Sequence, residues 1–255
     1  MSGSAAGAPR LSLVFPVFDE EDNVGPLLEA ALALAPRLAT PFEIVVVDDG
    51  SRDRSPAIVA TLCRRDPRVR LLRHPANRGY GAALRSGLRA ARGELVFFTD
   101  ADLQFDLAEL ATLLAHADAC DLVVGYRAPR RDPWRRRALA WGHRLVVRAL
   151  FGLAVRDIDC AFKVFRRPVI EALPLASIGA FVNTELLLRA RRAGFRIREV
   201  PVTHRPRVAG RSKGATPRVI ARALVELGLL YRELRRPPAR ASRPVRGHLA
   251  PGADA

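Results

Sequence analysis

Lysine is nearly absent from this chain: of its 42 basic residues only Lys163 and Lys213 are lysines. The rest of the positive charge is arginine, and against 26 acidic residues it leaves a formal net charge of +16. A GC-rich genome produces the same bias. Basicity alone is therefore compatible with nucleic acid, an anionic lipid surface or phosphorylated substrates, and selects none of them. Cysteine is scarce as well. Cys63, Cys120 and Cys160 lie far apart, without metal-ligand spacing, and suit buried thiols in a reducing cytosol. The chain has no run of about eighteen uncharged apolar residues, so no transmembrane helix is expected. Met1 to Pro9 lacks the charged start and apolar core of a signal peptide. Internal repeats, a Gly-x-Gly-x-x-Gly turn and a Walker lysine are all missing, which disfavours the nucleotide folds built on those motifs.

What is present is a globular chain of 255 residues, 49% hydrophobic, long enough for one large domain or two small ones. It is organised around Leu95-Val96-Phe97-Phe98-Thr99-Asp100-Ala101-Asp102. An apolar run ending abruptly in acids reads as a buried strand reaching the edge of a sheet. Ligands of open α/β sheets sit outside such carboxyl ends. Two acids there repel each other, and a divalent cation carrying a diphosphate would neutralise them. The alternative is a helix N-terminus capped by aspartate.

Strand and helix alternate through the first hundred residues. Strands are expected at 11–18, 42–47, 69–72 and 95–99, and helices at 24–38, 55–65 and 82–91, a pattern that implies a parallel sheet flanked by helices. The acids 19–22 open the first helix, where they favour its dipole. Gly79 and Gly81 form a glycine-rich turn, either a phosphate contact or simply a helix start. A helix at 107–117 and strands at 122–124, 157–165 and 196–203 follow, with helices from 134 to about 150 and from 183 to 193. Glu185 suits a capping box. Two arginine-rich loops stand out: 125–137, with six arginines around Trp134, and 204–214. Arginine clusters clamp phosphate through bidentate hydrogen bonds; a solvated loop is the other reading. Val219 to Leu234 is amphipathic, with Val219, Ile220, Leu224, Leu227 and Leu230 on one face. That face suits a membrane surface, the sheet or a dimer, which leaves homo-oligomerisation open. The division expected is a flexible N-terminus (1–9), a catalytic domain (10–215), the amphipathic helix (216–236) and a disordered tail (237–255).

Phe15-Pro16-Val17-Phe18-Asp19-Glu20, Val45 to Asp53, Asn77-Arg78-Gly79 and Thr99-Asp100-Ala101-Asp102-Leu103-Gln104 together resemble a family 2 glycosyltransferase across residues 10–215. Asp102-Leu103-Gln104, Val123 to Arg127 and the 207–213 loop are most similar to the polyprenyl-phosphate sugar transferases, the dolichol-phosphate-mannose-synthase-like group.

The resemblance implies a GT-A fold, a mostly parallel and Rossmann-like α/β sheet, and an inverting transfer from an NDP-sugar such as GDP-mannose or a UDP-hexose. Pro16, Asp19, Glu20, Asp48, Asp49, Gly79, Asp100, Ala101 and Gln104 would bind the nucleotide sugar. Mg²⁺ or Mn²⁺ would be held by Asp100 and Asp102, with Gln104 beside them. Asp157, Asp102 and Arg127 would be the catalytic residues. Arg131, Arg207, Arg211 and Lys213 would bind acceptor or phosphate. The resemblance also implies a lipid-phosphate acceptor met peripherally at the cytoplasmic face of the membrane.

Two features depart from the group. Many relatives read Asp-x-Thr-Ser-Gly-Phe-Arg where this chain has Asp157-Ile158-Asp159-Cys160-Ala161-Phe162-Lys163. The paired transmembrane helices that many bacterial relatives carry at the C-terminus are not seen either. Two rival readings remain. A family 2 enzyme with a hydroxyl acceptor, in cell-wall, glycan or natural-product assembly, would need Asp157 as a base. A nucleic-acid-binding protein is suggested by charge alone, and the ordered acid motifs argue against it.

Overall fold

The computed structural model describes residues 8–129, 134–207 and 217–235. The expected tail at 237–255, most of the expected flexible N-terminus, and Arg131, Arg211 and Lys213 lie outside the described residues.

Strands β1 (Leu11–Val17), β2 (Phe42–Asp48), β3 (Val69–Arg73) and β4 (Leu95–Thr99) alternate with helices α1 (Glu21–Leu38), α2 (Ser55–Arg65) and α3 (Tyr80–Ala90). A 3₁₀ turn (Leu107–Glu109) and a short α4 (Leu110–Leu114) then lead to β5 (Leu122–Arg127) and α5 (Trp134–Phe151). The chain continues through β6 (Phe162–Arg166), α6 (Arg167–Ala172), α7 (Val182–Arg192), β7 (Ile197–Val202) and α8 (Pro217–Arg235). All seven strands form one sheet in the order β3-β2-β1-β4-β6-β5-β7.

The strands are apolar on both faces because helices cover both. Leu13, Phe15, Ile44, Val46 and Phe97 pack on the side of α1 and α4, while Val14, Val45, Val47, Val96 and Phe98 pack on the side of α3 and α7. Pro16 is accommodated inside β1 because the pairing with β4 ends two residues earlier, at Val14 opposite Phe98.

Four pairings are parallel, as expected. β6 alone is reversed, running antiparallel to both β4 and β5. Thr99 lies opposite Phe162, so the segment feeding into β6 arrives at the carboxyl end of β4. Two further expectations are corrected. Residues 157–161 form a turn rather than strand, and the helix expected at 107–117 shrinks to a 3₁₀ turn and five helical residues. Of the three thiols only Cys160 is buried; Cys63 and Cys120 are half-buried.

The apolar stripe expected on α8 divides. Leu227 and Leu230 are buried against the domain, whereas Leu224, Val225 and Leu229 are more than half exposed. Glu226 accepts from the N–H groups of Ile178 and Gly179, and Arg189 grips Glu233 with two bonds of 3.0 and 2.9 Å. The side chains of Val219 and Ile220 lie outside the description.

Candidate active site

The site is assembled where β1, β2, β4 and β5 end. After β1 the chain turns through Asp19, whose φ of 51° lies in the left-handed region, a strained conformation for a residue with a side chain. The turn is held from outside. Asp19 N–H donates to Ser51 Oγ at 3.0 Å and Asp19 Oδ1 accepts from Arg52 N–H at 2.8 Å, while Glu20 N–H donates to Ser55 Oγ at 2.9 Å. Instead of capping α1, the Glu20 side chain accepts from Asn23 Nδ2 at 2.6 Å and pairs with Arg207.

The acids after β2 point inward. Asp48 is wholly buried, pairs with Arg73 Nε at 3.2 Å and accepts from Ser51 N–H. Asp49 uses both oxygens on its own fold: Oδ1 lies 2.6 Å from His74 Nδ1 and accepts from Arg78 N–H, and Oδ2 accepts from Gly79 N–H. It thereby fastens the Asn77–Gly79 turn. His74, which also meets Ser86 Oγ at 3.0 Å, carries no sequence signal that would have singled it out.

Gly79 needs its φ of +99° to make this turn. At Gly81 the requirement is space, since a Cβ there would lie 2.5 Å from the Ser177 carbonyl oxygen and 2.7 Å from that of Gly179. Gly81→Ala is expected to destabilise the protein by about 1–3 kcal/mol, the usual cost of overpacking a rigid backbone contact. Chemical denaturation measures it; an unchanged midpoint would mean that the 177–179 loop yields.

Beyond β4, Asp100 Oδ1 is inaccessible and without a hydrogen-bond partner. Burial, then the neighbouring Asp102 carboxylate, pushes the pKa of Asp100 up to about 7. Asp102 is also raised, chiefly by burial and further by Glu20, while Gln104 N–H and Arg207 oppose the shift. Ala101, between them, is 3% exposed. Gln104 reaches Asp102 through its backbone N–H, at 3.2 Å, and sends its side-chain amide to the Arg205 carbonyl. Arg207 spans Glu20 and Asp102, lying 3.5 Å from the latter. Tyr80 is buried beside Asp100, and burial together with that carboxylate holds its phenol well above its ordinary pKa.

These donors fit a hard divalent cation. No group of three or more His, Cys, Asp and Glu is clustered for a metal among the described residues. Two adjoining carboxylates, one with an unpaired buried oxygen, match the number of protein ligands Mg²⁺ takes when phosphate oxygens and waters complete its shell.

The reversed β6 delivers the second acidic turn. Asp157 is clamped by Arg127 from the end of β5, with Nε–Oδ2 at 2.6 Å, Nη2–Oδ1 at 2.8 Å and the Arg127 N–H at 3.3 Å. Arg127 is thus engaged with Asp157 at the end of β5. Next to this pair opens a cavity of about 500 Å³, lined by Asp157, Arg137, Arg144, Arg156, Trp134 and Trp141, among others. The tryptophans are 72% and 60% exposed. Glu185 is no capping-box residue: it binds the Ala176 and Ser177 N–H groups and Arg189.

A mixed sheet whose reversed strand lays a second acidic turn beside an Asp-x-Asp terminus is the GT-A fold, shared with its solved neighbours. Glucosyl-3-phosphoglycerate synthase from Mycobacterium tuberculosis, crystallised with Mn²⁺ and UDP-glucose, superposes with a TM-score of 0.70 at 22% identity, over 92% of this chain and 82% of that one. At that identity the likeness concerns the fold alone. The family model "Glycosyl transferase family 2" matches residues 12–173, and the chain belongs to that family.

Among curated relatives, an undecaprenyl-phosphate 4-deoxy-4-formamido-L-arabinose transferase of Pseudomonas aeruginosa is 36% identical over 217 residues, 82% of this chain and 62% of that protein. A dodecaprenyl-phosphate galacturonate synthase of Rhizobium johnstonii is 30% identical over 230 residues, covering 87% and 67%. The chain thus spans about three-fifths of the length of the first of these. Both relatives are polyprenyl-phosphate sugar transferases, the group that the sequence motifs resemble.

Proposed function

We propose that this protein moves a sugar from a nucleoside-diphosphate donor to a polyprenyl phosphate at a membrane surface, with inversion at the anomeric carbon. The observation that carries the reading is the cavity lined by Asp157, three arginines and two exposed indoles, with Arg127, the partner of Asp157, acting electrostatically on Asp100. Such a lining suits a ligand with an anionic head and an isoprenoid chain. The names of the polyprenyl-phosphate relatives support the same acceptor class.

In this reading Asp19, Glu20, Asp48, Asp49 and the Gly79 turn shape the nucleotide pocket. A divalent cation held by Asp100 and Asp102 would neutralise charge building on the departing diphosphate. The bond from the anomeric carbon to the diphosphate breaks with its electron pair on the leaving oxygen, while an acceptor phosphate oxygen forms the new bond from the opposite face. A lipid phosphate, with its second pKa at about 6, is already largely ionised at neutral pH, and so requires aim more than deprotonation. Arg137, Arg144 and Arg156 orient it, and Arg127 holds the Asp157 carboxylate in place.

None of the described helices is long and apolar enough to cross a membrane. Contact would come instead from α5 and α8, whose exposed Trp141, Leu145, Leu224 and Leu229 are interspersed with arginines. A screen of UDP- and GDP-sugars against a polyprenyl phosphate, with Mn²⁺ or with chelator, tests the chemistry. Product that carries the sugar on the lipid and needs the cation is expected; transfer only to hydroxyl acceptors overturns the reading. Co-sedimentation should require anionic vesicles and weaken with salt, and equal binding to neutral vesicles would remove the arginines from the account.

A further inference from the structure

One titratable group at the heart of the site has no part in this scheme. Lys163 is 0% exposed, in the middle of β6 between Phe162 and Val164. Its ammonium has three protons and three oxygens in reach: the Asn183 side-chain carbonyl at 2.8 Å, the Ile158 carbonyl at 3.4 Å and the Cys160 carbonyl. The fourth side is the Phe98 ring, with its centroid 5.3 Å away. None of these oxygens is a carboxylate. Burial pushes its pKa down, opposed by Cys160 and by the carboxylates of Asp157, Asp159 and Asp100.

Burying a cation costs several kcal/mol, and an apolar side chain of the same size would often serve packing as well or better. The position calls for a reason beyond packing, and the contacts supply one. Two of the three bonds end on the turn immediately after Asp157. The third ends on Asn183, which together with Asp100 flanks the buried Tyr80 hydroxyl.

We propose that Lys163 is a positioning residue for sugar transfer, tethering the Ile158–Cys160 turn that walls the acceptor cavity and supplying a positive charge near Asp100 of the Asp100–Asp102 pair. The proposal rests on the transfer reading above. Its two parts have separable consequences. The tether fixes the Ile158–Asp159 wall of the cavity that aims the acceptor, so its loss lowers kcat and leaves donor KM nearly unchanged. The charge repels a cation at Asp100 and Asp102 once both are ionised, so at a pH well above 7, where loss of Lys163 does not simply protonate Asp100, its removal strengthens metal binding even as turnover falls.

The test compares Lys163→Met, Lys163→Gln and Lys163→Arg in the full chain. Turnover is followed with the donor and polyprenyl phosphate found active for the wild type, and Mn²⁺ affinity of the donor-free protein is measured by calorimetry at that pH. For the methionine variant kcat should fall on the order of 10²-fold, the usual cost of a misplacement of about 1 Å, while Mn²⁺ binds several-fold more tightly. Glutamine, neutral but able to donate, should bind Mn²⁺ as tightly as methionine does and lose less turnover; it carries the test if the methionine variant does not fold. Arginine should return Mn²⁺ affinity to the wild-type value and recover part of kcat.

A residue that serves folding alone would lower turnover and metal affinity together, in step with the folded fraction, and that result overturns the proposal. Wild-type kcat and affinity in both neutral variants overturn it as well. A wild type that binds no Mn²⁺ and transfers no sugar refutes the transfer reading itself, and the proposal with it. An active wild type with unaltered neutral variants refutes the proposal alone.

Discussion

Asp100→Asn is expected to abolish sugar transfer while making the metal-free protein more stable. The carboxylate ends a strand buried on both faces, with Oδ1 inaccessible and unpaired and its pKa raised to about 7 by burial and by Asp102. The sign follows from the direction of the shift. Below the unfolded pKa near 4 the group is neutral in both states and its contribution to stability is fully present. As pH rises towards 7 the unfolded chain releases the proton that the folded chain retains, and stability is lost until the folded group ionises too. Above about pH 8 the loss is complete and amounts to about 4 kcal/mol. Asparagine keeps the shape and removes the ionisation, so the variant should be the more stable protein at pH 8 and show no such advantage at pH 4. Denaturation of both proteins in chelator across that range measures the difference. Turnover should fall by at least about 10²-fold, as when a group that stabilises transition-state charge is removed. Parallel pH profiles would sink the raised pKa of this carboxylate, and full activity would sink its role in holding metal.

The Arg127–Asp157 pair should give the largest loss of stability in the site. The two side chains are 9% and 7% exposed and joined in a two-pronged contact. Arg127→Met strands a buried carboxylate and is expected to cost about 3–5 kcal/mol. In the double variant Arg127→Met/Asp157→Asn no charge is left unpaired, so its cost should fall well below the sum of the single changes. A double-mutant cycle by chemical denaturation reports this directly, and additive costs would show that the pair is not coupled. The pair also affects how kinetics are read. With a lipid phosphate as acceptor there is no proton for Asp157 to take, and Asp157→Asn should leave most of kcat once the folded fraction is accounted for. Alanine at Arg144 or Arg156 should instead raise the acceptor KM. A hydroxyl acceptor reverses that order, because a general base contributes roughly 10²–10⁴-fold.

Much of this architecture is written in local pattern. Apolar runs stopped by acids mark β1, β2 and β4, and the helices between them follow from apolar spacing and from Pro56 at the start of α2. For that half of the sheet each element is specified by its own residues and joined to the next by a short connection, so a parallel order follows. Asp100 and Asp102 were legible because a carboxylate pair at a strand end is local information. Lys163, a lone charge in Phe162-Lys163-Val164-Phe165, was also visible, yet its significance was not. Nothing along the chain tells a cation pointing to solvent from one folded beneath the turn that carries Asp157.

The direction of β6, the division of α8 into a packed and an exposed face, and the inward turn of Asp49 towards His74 were decided only by tertiary structure. Strand polarity within a sheet depends on which neighbours remain to be paired, and a short apolar strand reads the same in either direction. A helix with apolar residues on two sides shows its buried one only when a partner covers it. Asp49 and His74 are 25 residues apart, and a hydrogen bond of that reach exists only once β2 and β3 lie side by side. The residue types and the parallel half of the sheet thus came from sequence. Which charges meet at the site came from the reversal of one strand, which carries Asp157 to Arg127 and the Ile158–Cys160 turn to Lys163, beside the carboxylates of β4.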